Sequence, residues 1–291
     1  MGGMTSAWKA FCVTSMTFAL VSAAHAVTLR TFVSSVGNDS NAGSNCAEAT
    51  PCATFAGAYA VTKAGGEIVA LTSGSYGPIT ITGPLQLIGT HGASITGSAN
   101  TTSITINAGA SDKVIIRDID IDGGNNANST GIKVNSGIVV VIDCKLELLA
   151  TGLSVSNTIA DVVRTDFIGN TVAIATTGTG TDTFTSQPVW GPTQVRISQG
   201  NILDNTTAFV MNDPGKTASG GMQNKITVLA FQTGNFLTTN IAGNGTETSG
   251  TGTSCQSYDT PDPSTPGGED VNFNCNQIYT YSDAINFQVP N

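Results

Sequence analysis

Short runs of aliphatic and β-branched residues recur along the chain after residue 65, and glycine and asparagine residues separate them. Within these runs apolar and polar positions alternate, which is typical of strands that bury one face. No long amphipathic helical pattern follows residue 65. The pattern therefore predicts an all-β chain built from many short strands.

Three of these segments align without gaps, which indicates an internal repeat. They begin at Val141, Val162 and Ile197, so that the first two begin 21 residues apart and the third follows after an insertion. The aligned segments share two apolar columns and one column of small residues, namely Leu146, Phe167 and Ile202; Leu153, Ile174 and Phe209; and Gly152, Ala173 and Ala208. A coil of this length without helices is typical of a solenoid whose strands pair with their equivalents one coil away.

We therefore predict a parallel β-helix with about 21 residues per coil. The solenoid is expected over residues 67–242, after an N-terminal segment and cap over 27–66 and before a tail over 243–291. The capping element is an amphipathic helix predicted over residues 54–64. A β-sandwich is the alternative fold, and it would require hairpin turns every 8–12 residues or so instead of a fixed long repeat.

Residues 1–26 have the pattern of a secretory signal peptide. Lys9 precedes the apolar run from Phe11 to Val21, and Ala24 and Ala26 form a small-residue cleavage site. An apolar run of about 11 residues is too short to span a bilayer, which needs about 20. We therefore expect export to the extracellular space, the cell surface or the periplasm, without a membrane span.

Charge and cysteine content narrow the expected partners. Only 11% of residues are charged, and 20 acidic residues outnumber 11 basic ones, which argues against nucleic acid as a partner. We expect a monomer. In an oxidising compartment the sequence predicts two disulfides that close local loops, Cys46 with Cys52 and Cys255 with Cys275, and leaves Cys144 as a buried free thiol.

Residues 65–97 resemble the N-terminal coils of right-handed β-helix proteins of the pectin-lyase-like superfamily, with a glycine-led strand, a Gly-x-Tyr turn and an apolar strand that ends in Ile-Gly. The segment VIIRDIDIDGG resembles a strand of pectate lyases, and residues 33–55 resemble the leading segment of secreted β-helix proteins. The resemblance implies a right-handed parallel β-helix. It does not imply one activity, because this fold hosts lyases, hydrolases, esterases and non-catalytic surface proteins.

Acidic residues alternate with isoleucine at Asp118, Asp120 and Asp122, which predicts three carboxylates on the outer face of one strand. In the repeat alignment Lys145 and Asp166 follow Asp120, so the signs of the charges alternate as in a neutralised surface ladder. The alternative is a Ca²⁺ site, because Ca²⁺ prefers several hard oxygen ligands. Its predicted ligands are Asp118, Asp122, Asp143 and Glu147.

The catalytic candidates come from resemblance to individual activities. Pectate lyases use an arginine or lysine base, which implies Arg117 or Arg164 here, although the longer arginine signature of that family is absent. The stretch RTDFIGN resembles a segment of pectin methylesterases whose aspartate is the nucleophile, which implies Asp166. The one histidine after residue 26, His91, excludes any mechanism that needs two histidines in the exported chain.

Aromatic side chains in predicted loops can stack on sugar rings, and Tyr76 and Trp190 are the candidates. For Trp190 the alternative is packing against the side of the solenoid. The sequence therefore predicts a non-catalytic exported protein that presents a lateral face to a polysaccharide or a cell-surface glycan and requires no cofactor. The alternative is a Ca²⁺-assisted lyase that acts on acidic glycans.

Overall fold

A computed structural model describes residues 27–177 and 190–212, together with six further strands between residues 223 and 281. The predicted signal peptide, Cys255 and Cys275 lie outside the described residues. Side chains are described for 27–177, 193 and 195–210.

Two short helices and twenty-five strands make up the described chain. The helices are a 3-10 helix at Asp39–Ser44 and α1 at Phe55–Tyr59. The strands of the first half are β1 (Thr28–Val33), β2 (Thr62–Ala70), β3 (Gly74–Ser75), β4 (Ile79–Ile81), β5 (Leu85–Ile88), β6 (Ala93–Thr96), β7 (Thr102–Asn107), β8 (Lys113–Arg117), β9 (Asp120–Asp122), β10 (Thr130–Ser136), β11 (Ile138–Ile142) and β12 (Lys145–Glu147). Those of the second half are β13 (Thr151–Ser156), β14 (Ile159–Val163), β15 (Asp166–Ile168), β16 (Val172–Thr177), β17 (Trp190–Ser198), β18 (Asn201–Leu203), β19 (Thr207–Asn212), β20 (Gln223–Leu229), β21 (Asn240–Ala242), β22 (Thr246–Ser249), β23 (Ser257–Pro261), β24 (Glu269–Phe273) and β25 (Gln277–Tyr281).

Three long parallel sheets contain all of these strands except the antiparallel pair β23 and β24. Sheet A has the order β1-β2-β5-β8-β11-β14-β17-β20-β25, sheet B β3-β6-β9-β12-β15-β18-β21, and sheet C β4-β7-β10-β13-β16-β19-β22. The chain passes from sheet A to B to C and back to A in each coil. The protein is therefore all-β with mostly parallel strands, as in a parallel β-helix, and among the described strands only β23 and β24 form a sequential antiparallel pair of the kind that builds a β-sandwich.

The strand register stacks equivalent residues of successive coils. Leu146 pairs with Phe167, and Phe167 pairs with Ile202, as the repeat alignment predicted. Residues joined across neighbouring coils are 21 residues apart at Asp143 and Arg164, but 28 apart at Asn107 and Asn135. Coil length therefore varies along the solenoid, because the turns and loops between strands differ in length.

A continuous apolar core lies between the three sheets. Leu146, Phe167 and Ile202 are fully buried within it. At the turn after sheet B, Asn170 and Asn205 are also buried, and the Asn170 Nδ2 donates to Asn205 Oδ1 at 3.0 Å. Asn170 and Asn205 also occupy one column of the repeat alignment, which predicts an asparagine ladder at a turn, and this contact confirms it. Their amides satisfy backbone groups that the turn leaves without strand partners.

The N-terminal segment packs on the first coils. Cys46 and Cys52 form the predicted disulfide, with their Cα atoms 5.0 Å apart. The helix α1 begins after Thr54, whose hydroxyl accepts from the Gly57 N–H, as an N-cap residue does. The helix is shorter than the predicted span of residues 54–64, because Thr62 already begins β2 and pairs with β1 in sheet A.

Candidate functional site

The corner between sheets A and B carries four of the charged residues that the sequence singled out, and the strands of sheet B carry the others. Asp118, Asp143 and Arg164 occupy the same turn position in three successive coils, with left-handed φ values of 55°, 54° and 47°. The backbone N–H of Asp118 donates to Ile142 O, which ties the turn to the next coil. The prediction that Asp118 shares a strand face with Asp120 and Asp122 was therefore wrong, because Asp118 forms the turn before β9.

Arg164 and Asp143 form a two-pronged ion pair at this corner. The Arg164 Nε lies 2.6 Å from Asp143 Oδ1, and its Nη2 lies 2.8 Å from Oδ2. This pairing lowers the pKa of Asp143 and raises the pKa of Arg164. Arg164 is consequently held in its protonated form, which opposes a role as a catalytic base.

Asp118 and Arg117 flank that ion pair. Partial burial, followed by the charge of Asp143, raises the pKa of Asp118, and the charge of Arg117 opposes this shift. Arg117 is exposed at the end of β8 and forms no ion pair among the described residues. Of the two arginines proposed as bases, only Arg117 thus lacks an ion pair within the described part of the chain, although its charge acts on both Asp118 and Asp143.

The strand-borne charges of sheet B lie in the predicted columns. Asp120 pairs with Lys145, and Lys145 pairs with Asp166. The Lys145 ammonium nevertheless bonds along its own strand to Glu147 Oε1, at 2.7 Å, and this contact raises the pKa of Lys145. The ion pair of Lys145 therefore lies within one coil, whereas the ion pair of Arg164 and Asp143 at the corner joins two coils.

The four predicted calcium ligands fall into two places. Asp118 and Asp143 lie at the corner between sheets A and B. Asp122 and Glu147 are the last residues of β9 and β12, away from that corner, and they are neighbours in the strand register. Asp122 Oδ1 accepts from the Gly124 N–H at 2.8 Å, and Glu147 holds Lys145. Within the described part of the chain, no three His, Cys, Asp or Glu side chains are grouped to hold a metal ion.

Asp166, the nucleophile implied by the esterase resemblance, accepts hydrogen bonds through one of its carboxylate oxygens. Its Oδ1 accepts from both the backbone N–H and the Nδ2 of Asn201, at 3.0 and 2.6 Å. These bonds tie β15 to β18 across the coils. Asp166 therefore acts as a structural member of the polar ladder on sheet B.

Of the two aromatic candidates, Tyr76 was predicted wrongly. Its side chain is fully buried, its ring centroid lies 5.0 Å from that of Phe55, and its hydroxyl bonds to Thr72. The Gly-x-Tyr turn directs the ring inward beneath α1, so it cannot stack on a sugar. Trp190 begins β17, and its side chain lies outside the described residues.

The outer face of sheet C is polar over β7, β10 and β13, a surface that the sequence reasoning missed, and its columns continue to Val172 and Ala175 on β16. One column of side chains contains Thr102, Thr130 and Thr151, all partly exposed. The next column contains Thr105, Lys133 and Ser154. Beside them Asn135 Nδ2 donates to Asn107 Oδ1 at 2.8 Å. Extending the repeat alignment to the segments TSITIN, TGIKVNS and TGLSVS would have revealed these columns.

Six neighbouring strands of sheet C, which include this polar surface, contain a single charged residue. The strands β4, β7, β10, β13, β16 and β19 contain no aspartate or glutamate, although the whole chain has a net charge of −9. Their one cation is Lys133, which is exposed and forms no ion pair among the described residues. These six strands therefore differ in charge from the ladder of sheet B, and the seventh strand of sheet C, β22, contains Glu247.

No protein-family model, curated protein or solved structure matches the chain. In the described part of the chain, no helix has the length and apolar character needed to cross a membrane.

The Asp143 and Arg164 pair gives a pH-dependent prediction. Replacing Asp143 with asparagine is expected to lower the free energy of unfolding at pH 7 by less than about 1 kcal/mol, because the pair is exposed to solvent. The ion pair lowers the pKa of Asp143, so it stabilises the fold above the ordinary value of 3.8 and loses this effect as pH falls below it. The free energies of unfolding of the wild-type protein and of Asp143→Asn, measured with urea, should therefore become equal in acid. A difference between them that stays constant with pH would contradict the prediction.

Proposed function

We propose that the chain is a right-handed parallel β-helix of the pectin-lyase-like superfamily, capped at its N-terminus by α1 and the Cys46–Cys52 loop. Two observations support this assignment: the strands run parallel through three sheets, and residues 65–97 resemble the first coils of that superfamily. The right hand follows from the general rule that parallel crossovers are right-handed in about 98% of cases. Phe55 and Ala58 of α1 are buried against the core, as a capping element requires.

We further propose that this exported protein is non-catalytic and binds glycans along the outer face of sheet C. The observation that carries the proposal is the stack of hydroxyl and amide side chains in consecutive coils, including Thr102, Thr130 and Thr151. Glycans present regularly spaced hydroxyl groups. A repeated row of donors and acceptors can hydrogen-bond to several sugar units at once.

The charge distribution favours sheet C over sheet B for this role. Carboxylates on sheet B would repel acidic glycans, whereas Lys133 on sheet C adds one attractive charge at the middle of the polar surface. Neutral and acidic polysaccharides can therefore both lie on this face. Most of the contacts would be hydrogen bonds that water also offers, so the expected affinity comes from their number.

The candidate catalytic groups support the non-catalytic reading. A base for β-elimination must release its proton readily, yet Asp143 raises the pKa of Arg164. Asp166 is bonded to Asn201, and Lys145 is bonded to Glu147. The Arg164–Asp143 and Asp166–Asn201 contacts join neighbouring coils, and the Lys145–Glu147 contact lies within one strand, which is the role expected of a scaffold.

The binding proposal predicts a loss that is confined to sheet C. The combined substitutions Thr130→Val, Lys133→Ala and Thr151→Val are expected to reduce retention on immobilised xylan and polygalacturonate at least about tenfold, because adjacent hydrogen-bonding groups disappear together. Thr96→Val on sheet B, where Thr96 is exposed on β6, is the control and should leave retention unchanged. Equal losses in both variants, or no loss in the first, would contradict the proposal.

A further inference from the structure

A cavity lies between the capping helix α1 and the first strand of sheet C. The helix contributes Ala56, Tyr59 and Ala60 to its lining, and the chain at the start of β4 contributes Pro78 and Thr80. The cavity has a volume of about 390 Å³. Small-molecule sites in proteins have volumes of about 300–1,000 Å³, so this cavity is large enough to hold a small ligand.

Hydrogen bonds at its hydroxyl hold the aromatic ring of Tyr59 in one orientation beside this cavity. The Tyr59 hydroxyl accepts from the backbone N–H of Thr82 at 2.9 Å and from that of Gly83 at 3.1 Å. The side chain is half-buried, because it packs against the apolar core and also lines the cavity. A ring that is fixed before binding loses little conformational freedom when a ligand stacks on it.

The lining of the cavity combines apolar surfaces with hydroxyl groups, and none of its described residues is charged. Tyr59 and Pro78 supply rings, whereas the exposed Thr80 and the half-buried Thr102 supply hydroxyls. A sugar ring has apolar C–H faces that stack on aromatic rings, and its edge carries hydroxyls that donate and accept hydrogen bonds. A carboxylate would lose water here without gaining a charged partner. The lining therefore suits a neutral sugar.

The polar columns of sheet C lead directly to this cavity. Thr80 pairs with Thr105, which pairs with Lys133, and Thr102 belongs to the same column as Thr130. The strand β4 is the edge of sheet C, and α1 packs against it. A polysaccharide that follows the columns towards β4 would therefore meet α1, so the cavity is placed to receive the end of such a chain.

We infer that this cavity binds the terminal neutral sugar unit of a polysaccharide that lies on sheet C, an inference that rests on the glycan binding proposed above. One C–H face of the sugar stacks on the Tyr59 ring, and its hydroxyls bond to Thr80 and Thr102. The columns of sheet C hold the following units of the chain. The cavity thus selects a neutral chain end, whereas the columns alone accept neutral and acidic units.

Titration calorimetry of the chain without its predicted signal peptide (residues 1–26) tests the inference with two probes, neutral xylohexaose and acidic hexagalacturonate. Tyr59→Ala should lower the affinity for xylohexaose about tenfold, because the stacking surface is lost. The same substitution should leave the affinity for hexagalacturonate unchanged, because acidic units bind only on the columns. A merely structural effect of the substitution would weaken the binding of both probes.

A second variant tests the cavity without touching the hydrogen bonds of Tyr59, and it decides the result if Tyr59→Ala does not fold. Ala56 is exposed and lines the cavity, so Ala56→Trp should fill it and cause the same selective loss for xylohexaose. The matched control is Ala110→Trp, which changes an exposed alanine between β7 and β8 that does not line the cavity. It should bind both probes as the wild-type protein does.

The outcomes separate this inference from the proposal on which it rests. A wild-type protein that binds neither probe would overturn both. Binding by the wild-type protein with an unchanged affinity of Ala56→Trp for xylohexaose, or with equal losses for both probes, would overturn only the terminal site. Xylan cut into shorter chains should also bind more protein per unit mass, because each cut creates a new chain end, and no increase would likewise overturn the terminal site.

Discussion

Replacing Phe167 with alanine is expected to lower the free energy of unfolding by about 3–5 kcal/mol. The Phe167 side chain is fully buried in β15, between Leu146 of the preceding coil and Ile202 of the following one. Its removal takes apolar surface from the core and leaves a cavity that regular backbone spacing prevents from collapsing. Urea unfolding followed by circular dichroism measures the change.

The matched control for this substitution is Ile168→Ala on the same strand. Ile168 pairs with Glu147 and Leu203 on the outer face and is only partly buried, so its truncation should cost less than about 1.5 kcal/mol. Similar losses for both substitutions would contradict the assignment of Phe167 to the core column. A changed slope of the free energy of unfolding against urea concentration would indicate that the coils no longer unfold together.

Replacing Asn170 with leucine is expected to lower the free energy of unfolding by about 3 kcal/mol or more. The amide of Asn170 accepts from the Leu149 N–H and donates to Leu146 O, both at 3.0 Å, and it donates to Asn205 Oδ1. Leucine has nearly the same volume but no polar group. The Leu149 N–H would therefore be buried without its acceptor, whereas Asn205 Oδ1 would keep its bond from the backbone N–H of residue 170.

An exposed amide pair provides the comparison for Asn170. Asn135 donates to Asn107 on the surface of sheet C, and Asn135→Leu should change stability by less than about 0.5 kcal/mol because water replaces the lost bond. Hydrogen exchange adds a local measurement: the Leu149 amide should lose protection in Asn170→Leu before the strands of sheet A do. Unchanged stability in Asn170→Leu would contradict a structural role for the asparagine stack.

The core columns were predictable from the sequence because the three aligned segments keep the same internal spacing, although an insertion lengthens the coil between the second and the third. Leu146, Phe167 and Ile202 keep one register, and Asn170 and Asn205 keep another, so alignment alone found both. The turn at Asp118 was not predictable in the same way. Aspartate and asparagine adopt left-handed turns readily but also occur on strand surfaces, so the alternation with isoleucine indicated a strand.

Contacts that join distant segments account for the other differences. Tyr76 is buried because α1 covers it through Phe55, and no local pattern shows which loop the helix covers. The helix ends early because Thr62 pairs with Thr28 of β1, a segment more than thirty residues earlier in the chain. The outward apolar residues of β11 are visible in the sequence as IVVVI, but that run does not show which of its residues lie in the core and which face outward.

The central claim is that the solenoid binds polysaccharide without cleaving it. The most direct measurement is incubation of the chain without its predicted signal peptide (residues 1–26) with polygalacturonate and Ca²⁺, in which bound polysaccharide, its chain length and the ultraviolet absorbance of unsaturated uronate are followed together. We predict that polysaccharide binds, that its chain length stays constant and that no unsaturated uronate forms. Release of unsaturated uronate that is abolished by Arg117→Ala would contradict this account and would identify the corner of sheets A and B as a lyase active site.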